Sequence, residues 1–193
     1  MAKILSGPSL SGPSWVTKFQ NSASTDKLVD PFKSNAKKFI AALRAAGADV
    51  SINATLRPRE RAFLMHWSFR VAREAYDPEK VPEMTGVDID WVHKDAQGNP
   101  NLDASRFAAA QMVDGYDIAY RPVIDSRHTE GKAIDMDISW KSQELKITNG
   151  TGKDVSIKTG AKDGSNPELH KVGKSYGVIK LVSDPPHWSS DGH

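Results

Sequence analysis

The chain has 193 residues, of which 38% are apolar, and this length and composition are typical of one globular domain with a buried core. Its formal net charge is only +2, and the basic residues are scattered instead of forming the basic surface that nucleic-acid binding requires. No apolar run in the sequence is long enough to cross a bilayer. We therefore expect a soluble protein with no nucleic-acid partner and no transmembrane segment.

The sequence contains no cysteine, which excludes disulfide bonds, thiolate metal ligands and a cysteine nucleophile. Any metal ion must therefore be held by His, Asp or Glu. The chain begins MAKILSGPSLSGPSW, where the apolar stretch is too short for a secretory signal peptide. We expect synthesis in the cytoplasm without such a signal.

The first third of the chain predicts an arm, a helix and a strand. The Ser-Gly-Pro repeats predict a flexible arm over residues 1–15, followed by a single domain over residues 16–193. DPFKSNAKKFIAALRAAG has helical spacing, with Asp30 as a cap and Gly47 as the stop. The next segment, ADVSINATL, alternates apolar and polar residues as a half-buried strand does, and Arg57 lies at its end.

The remaining segments predict an α+β fold with helices packed on a mostly antiparallel sheet. A second helix covers RERAFLMHWSFRVAREAY and a third covers DASRFAAAQMVDG, with Asp103 or Ser105 near its cap and Gly115 past its end. Between them, 77–101 is predicted as a long loop. A β-hairpin over 143–159 should extend the sheet, before a short helix in NPELHKVGKSYG and a last strand in VIKLVS.

Two short clusters carry the residues suited to chemistry. In DSRHTEGKAIDMDISW, His128 lies before a glycine turn and Asp135 lies in the strand that follows. In SDPPHW, Asp184 and His187 follow another apolar segment. A catalytic zinc ion takes three His or carboxylate ligands, which His128, Asp135 and His187 can supply. Asp184 would then be left to act as general base.

SRHTEGKAID resembles the Ser-x-His-x-x-Gly-x-Ala-x-Asp signature of the D-alanyl-D-alanine metallopeptidases, a family that contains vancomycin-resistance carboxypeptidases and several phage endolysins. DPPHW is similar to the closing acid-x-x-His-Trp element of that family. The resemblance covers roughly Pro31 to Trp188 and implies the hedgehog/D-Ala-D-Ala peptidase-like fold with a zinc cleft.

The resemblance also implies roles for individual residues. His128, Asp135 and His187 would be zinc ligands, Asp184 the catalytic base, and Arg57 a contact to the substrate carbonyl. A guanidinium beside the zinc would stabilise the oxyanion formed in amide hydrolysis.

Two further residues are candidates for substrate binding, each with a structural alternative. Ser126 would contact substrate or only shape the turn before His128. Trp188 would line the cleft or pack in the core.

Several similar residues are interpreted as structural or solvated. Glu130 and Asp137 are carboxylates near the ligands, and Asp137 would orient a ligand or, in our preferred interpretation, be solvated or structural. His66 and His170 are interpreted as packed histidines, and nothing in the sequence positions His93 or His193 near a metal.

These observations lead to the hypothesis of a zinc-dependent peptidase that cleaves an amide bond in the stem peptide or crossbridge of peptidoglycan. An aspartate base, as in several phage L-alanyl-D-glutamate endopeptidases, favours an endopeptidase over a D,D-carboxypeptidase. A holin, a virion or a secretion apparatus would deliver such an enzyme to the cell wall. The alternatives are a non-catalytic module that binds cell wall or a partner protein, and a metallopeptidase that acts on ordinary proteins.

Overall fold

The computed structural model describes residues 7–193, and their contacts group into two compact units. Unit 1 contains the described residues up to Gln20 together with Pro58–Asp125, and unit 2 contains Asn21–Arg57 and Ser126–His193. Among the described residues, no helix is long and apolar enough to span a membrane. The division into an arm of residues 1–15 and one domain of residues 16–193 stays a prediction.

Unit 2 carries two helices, a four-stranded sheet and a separate hairpin. In chain order its elements are α1 (Phe32–Ala45), β2 (Asp49–Ala54), β4 (Ala133–Ser139), β5 (Leu145–Thr148), β6 (Asp154–Ile157), α4 (Pro167–Ser175), β7 (Ile179–Lys180) and β8 (His187–Ser189). Unit 1 contributes β1 (Ser9–Leu10), α2 (Arg59–Arg73), β3 (Ile89–Asp90) and α3 (Leu102–Gly115).

The main sheet of unit 2 has the strand order β2-β4-β8-β7, and all its neighbours are antiparallel. On β4, Ala133, Ile134, Met136 and Ile138 are buried while Asp137 and Ser139 are exposed. This period-two pattern puts the apolar residues of the strand in the core. Asp135 is opposite both Ala54 of β2 and His187 of β8, so the central strand carries one candidate ligand beside another.

The core of unit 2 lies between this sheet, the hairpin and the two helices. Phe39 of α1 packs against Trp188 of β8 with ring centroids 5.4 Å apart. The start of α1 is fixed by Asp30, whose carboxylate accepts hydrogen bonds from the backbone N–H and the hydroxyl of Ser34. The N-cap position itself is Pro31, so Asp30 stabilises the first turn from the residue before the cap.

Unit 1 is built on the packing of α2 against α3 around a second apolar cluster. Trp15, Leu64, Trp67 and Met112 are buried in that cluster. β1 pairs in parallel with β3, so part of the segment predicted as an arm is paired in a sheet. Residues 1–6 of that predicted arm lie outside the described residues.

The α+β class, with helices packed on a mostly antiparallel sheet, is confirmed, but three local predictions are wrong. β5 and β6 pair only with each other and do not extend the main sheet. α3 is capped by Asn101, which accepts a hydrogen bond from the N–H of Ala104, and Asp103 lies in the first turn near this cap as expected, but Gly115, predicted past the end, is the last helical residue. The predicted last strand is only two residues long, since Val182 and Ser183 form a turn.

Candidate metal centre

His128, Asp135 and His187 converge in unit 2 and can hold a metal ion. Nε2 of His128 lies 3.1 Å from Oδ1 of Asp135 and 3.2 Å from Nδ1 of His187. Nδ1 of His187 lies 3.1 Å from the same carboxylate oxygen. Three potential ligand atoms therefore form a nearly equilateral triangle, and both imidazoles are buried.

His128 is positioned by the glycine turn that follows it. The N–H of Gly131 donates to the carbonyl oxygen of His128 over 3.3 Å. Gly131 has φ +68°, and a Cβ atom there would lie 3.2 Å from the carbonyl oxygen of Lys27, so the turn needs glycine. On the other side of His128, its Nδ1 lies 2.8 Å from the carbonyl oxygen of Thr55, which is buried just after β2.

His187 is positioned by a tight turn and by strand pairing. Its N–H donates to the carbonyl oxygen of Asp184 over 3.1 Å, across the two prolines. Its Nε2 lies 3.1 Å from the carbonyl oxygen of His193. Its neighbour Pro186 accepts a hydrogen bond from the N–H of Met136, which continues the pairing of β4 with this segment.

The carbonyl contacts suit the tautomers that metal binding requires. If Nε2 of His128 and Nδ1 of His187 bound an ion, Nδ1 of His128 and Nε2 of His187 would carry the protons and donate them to the carbonyl oxygens of Thr55 and His193. Nε2 of His128 and Nδ1 of His187 then have lone pairs that face Asp135. Three electron-pair donors thus point at one place, which is unfavourable unless a cation or a proton lies between them.

Electrostatics at the triangle favour a negative carboxylate beside positive charge. Burial by itself raises the pKa of Asp135, but in the metal-free site hydrogen bonds and charge from protonated His128 and His187 outweigh burial and leave that pKa well below its ordinary value. Burial lowers the pKa of His187, yet the hydrogen bond and charge of Asp135 reverse this effect, and the net pKa is raised. The site therefore attracts positive charge between its three side chains.

The geometry of the triangle fits a zinc-sized ion. Donor atoms about 2.0–2.1 Å from a tetrahedral zinc ion lie about 3.3–3.4 Å from one another. The three distances of 3.1, 3.2 and 3.1 Å are slightly shorter than this. Two imidazole nitrogens and one carboxylate oxygen are also a ligand set that suits zinc and leaves room for a further ligand.

Asp184 lies on the exposed turn that leads into β8, three residues before His187. Its negative charge makes the smallest of the contributions that raise the pKa of His187. Lys180, buried under the same turn, donates from Nζ to the carbonyl oxygens of Leu181, Asp184 and His187. This lysine therefore holds the backbone of the turn that carries both Asp184 and His187.

Two candidate residues lie near His128: Arg57 contacts its backbone, and Ser126 is two residues before it in the chain. The N–H of Arg57 donates to the carbonyl oxygen of His128 over 3.2 Å, and its side chain is half-buried. Ser126 exchanges hydrogen bonds with Thr129: its N–H donates to Oγ1 over 2.8 Å, and its Oγ accepts from the N–H over 3.3 Å. The serine thus shapes the turn before the ligand, and its contact with substrate stays a prediction.

Trp188 lies in the core and has no exposed surface. Besides Phe39, it contacts His170 at 5.7 Å between ring centroids in an edge-to-face arrangement. A fully buried ring has no face left for a substrate. The predicted substrate contact of Trp188 is therefore corrected in favour of core packing.

The carboxylates and histidines interpreted as structural have partners away from the triangle. Asp137 is exposed and accepts a hydrogen bond from Asn53, and Glu130 pairs with Arg127 and Lys132. His66 contacts the carbonyl oxygen of Pro122, His170 that of Gly164, and His93 contacts both the carbonyl oxygen and the hydroxyl of Ser11.

Sequence reasoning missed Lys180 and the carbonyls of Thr55 and His193. Backbone carbonyl oxygens give no signal in a sequence because every residue has one. Lys180 did give a signal: it is a lysine inside the apolar segment VIKLVS. A buried lysine requires several acceptors, which predicts a nearby group of carbonyl or carboxylate oxygens.

Comparison of the chain with protein-family models, with curated proteins and with solved structures found no match.

Proposed function

We propose that this chain is a zinc-dependent peptidase that hydrolyses an amide bond of peptidoglycan, in the stem peptide or the crossbridge. The observation that carries the proposal is the triangle of His128, Asp135 and His187, with the opposite nitrogen of each imidazole bonded to a backbone carbonyl oxygen. The two motifs that supply these ligands also resemble those of the D-alanyl-D-alanine metallopeptidases.

In this proposal, zinc supplies a Lewis acid that lowers the pKa of water to about 7 and polarises the substrate carbonyl. In the same proposal, Asp184, an exposed carboxylate three residues before His187, takes a proton from the attacking water and returns it to the leaving amine. The guanidinium of Arg57 stabilises the negative charge that develops on the carbonyl oxygen. Each residue then has a separate task.

The experiment that tests the proposal is digestion of purified sacculi by the wild-type protein and by Asp184→Asn. This substitution keeps the shape of the side chain but removes the base, so we expect cleavage to fall by about 100-fold or more while zinc stays bound. Mass analysis of the released peptides then identifies the bond. We expect fragments of an L-alanyl-D-glutamate endopeptidase, not the loss of a terminal D-alanine.

Asp137→Asn is the matched control because Asp137 is also an exposed carboxylate close to a ligand in the chain, but its hydrogen bond is to Asn53. We expect this variant to retain wild-type cleavage. A zinc-loaded wild-type protein that leaves sacculi intact would contradict the proposal. In that event, retained binding to sacculi would favour the alternative of a non-catalytic cell-wall module.

A further inference from the structure

The segment after β8 provides the backbone carbonyl that contacts Nε2 of His187. Residues 190–193 form no helix or strand; one backbone hydrogen bond, from the N–H of Ser190 to the carbonyl oxygen of Lys132 over 3.0 Å, holds the start of the segment, and side-chain contacts hold the rest. One contact is the buried hydroxyl of Ser189, which accepts hydrogen bonds from the N–H groups of Gly192 and His193 over 2.8 and 3.1 Å. These bonds curl the segment back towards β8.

A second contact ties this segment to the turn that carries His128. Nε of Arg127 lies 3.1 and 3.0 Å from the two carboxylate oxygens of Asp191, and Nη2 donates to the same carboxylate. Such a forked contact fixes orientation as well as distance. Arg127 directly precedes His128, and Asp191 lies two residues before His193. One ion pair therefore connects the surroundings of both imidazole ligands.

We propose that Arg127 and Asp191 are positioning residues for the metal centre. Their ion pair holds the carbonyl oxygen of His193 against Nε2 of His187, which keeps the lone pair of Nδ1 directed at the metal. The inference rests on the metal site of the proposed function and is independent of the substrate. Hydrogen-bond partners of ligand histidines commonly change metal affinity by roughly 10- to 100-fold when they are removed.

Charge attraction alone does not explain such an effect. Arg127 and Asp191 are about one-third exposed, with side-chain exposures of 33% and 38%, and ion pairs of this kind contribute little to stability. Their effect on the metal instead comes from restricting a segment that has no regular structure. Loss of the pair should therefore weaken zinc binding more than it destabilises the fold.

The test compares zinc affinity of the full chain with that of Asp191→Asn, by competition with a chromophoric chelator. We expect Asp191→Asn to bind zinc about 10-fold more weakly. Glu130→Gln is the matched control, since Glu130 also pairs with Arg127, at 2.9 and 3.0 Å, but does not contact the segment. The control removes one negative charge from the same guanidinium, and we expect its affinity to stay within about 2-fold of the wild type.

A second measurement separates positioning from general destabilisation. Long-range proton–nitrogen NMR correlations of the zinc-free protein at alkaline pH report the tautomer of His187. Without zinc, Asp135 competes for the imidazole proton at Nδ1, so we expect the Nε2–H form to have a larger share in the wild type than in Asp191→Asn. Arg127→Lys keeps the charge but loses the fork, so it should show the same two changes.

Unchanged zinc affinity in Asp191→Asn, or an equal loss in Glu130→Gln, would overturn the inference. A variant that changes affinity but retains the wild-type tautomer ratio of His187 would also overturn it. Failure of the proposed function is a separate result: a wild-type protein that binds zinc but does not cleave sacculi leaves the role of Arg127 and Asp191 standing.

Discussion

At the scale of single residues, the candidate centre depends on which nitrogen of each imidazole carries a proton. His128 and His187 present different ring nitrogens to Asp135, Nε2 in one case and Nδ1 in the other. In both cases the opposite nitrogen is bonded to a backbone carbonyl oxygen. Because the partners are backbone atoms, the two tautomers depend on the fold around the site and, for His187, on the segment that Arg127 and Asp191 hold in place.

Tyr116 of unit 1 gives a prediction about alkaline pH. Burial raises the pKa of its hydroxyl to about 12, against a smaller opposing effect of Arg61, and the hydroxyl donates to the carbonyl oxygen of Trp15 over 3.1 Å. The folded-state pKa is above the unfolded value, so this contribution to stability is complete below about pH 10 and is lost as pH rises towards 12. We expect the wild type to lose roughly 2–3 kcal/mol more than Tyr116→Phe across this range.

Urea unfolding at about pH 8, 10 and 11.5, followed by circular dichroism, measures this difference. Lysines and the other tyrosines titrate in both proteins, so only the difference between the wild type and Tyr116→Phe in how the unfolding free energy changes with pH reports on Tyr116. Parallel losses of stability in the wild type and Tyr116→Phe would contradict the prediction.

At the scale of secondary structure, β8 brings a ligand to the centre and also anchors it in the core. His187 is paired with Asp135 on the neighbouring strand β4, and the next residue, Trp188, is fully buried against α1. The position of the candidate ligand His187 therefore depends on how closely the helices of unit 2 pack against β8. Gly173 of α4 lies so close to Trp188 of β8 that a substitution there tests this coupling.

We predict that Gly173→Ala destabilises the protein and weakens zinc binding. A Cβ atom at this position would lie 2.6 Å from the ring of Trp188 and 2.8 Å from the carbonyl oxygen of Val178. Alanine improves helix propensity by up to about 1 kcal/mol, but overpacking a core costs about 1–3 kcal/mol. The net expectation is a loss of about 1–2 kcal/mol in thermal or urea unfolding, with a lower zinc affinity because Trp188 adjoins His187.

Lys174→Ala is the control, since Lys174 is the next residue of the same helix and is exposed. Its unfolding free energy should stay within about 0.5 kcal/mol of the wild type. If Gly173→Ala were as stable as the wild type, α4 would have to tolerate a shift away from β8.

The sequence predicted those elements whose signals are local. The helical spacing around Phe39, the alternation around Ile52 and the spacing from His128 to Asp135 each follow from residues close together in the chain. β8 was not predicted as a strand, because HWS is only three residues long and its pairing with β4 is between distant parts of the chain. The separate hairpin was assigned to the main sheet for the same reason, since partner strands leave no local signal.

At the scale of the whole molecule, all three candidate ligands belong to unit 2. A metal ion held by them links β4, β8 and the turn at His128, and it stabilises only states in which these segments are together. At a free zinc concentration of 100 times the dissociation constant, this linkage is worth about 2.7 kcal/mol.

We predict that zinc slows amide hydrogen exchange most strongly in unit 2. Peptides that cover Thr55, His128, β4 and β8 should gain protection when zinc is added to the chelator-treated protein, because local opening would break the metal site. Hydrogen-exchange mass spectrometry measures all peptides in one experiment, so α2 and α3 of unit 1 act as an internal control. Equal protection of both units, or no protection at His128 and β8, would contradict this prediction.

The N–H of Arg57 and the carbonyl oxygen of His128 are only 3.2 Å apart, yet the whole stretch from Pro58 to Asp125 lies between them in the chain. The entropy of closing a loop grows only with the logarithm of its length. The number of residues in this stretch can therefore change at little entropic cost to the contact between Arg57 and His128. A change in the number of residues between Pro58 and Asp125 is thus compatible with an unchanged backbone beside His128 in unit 2.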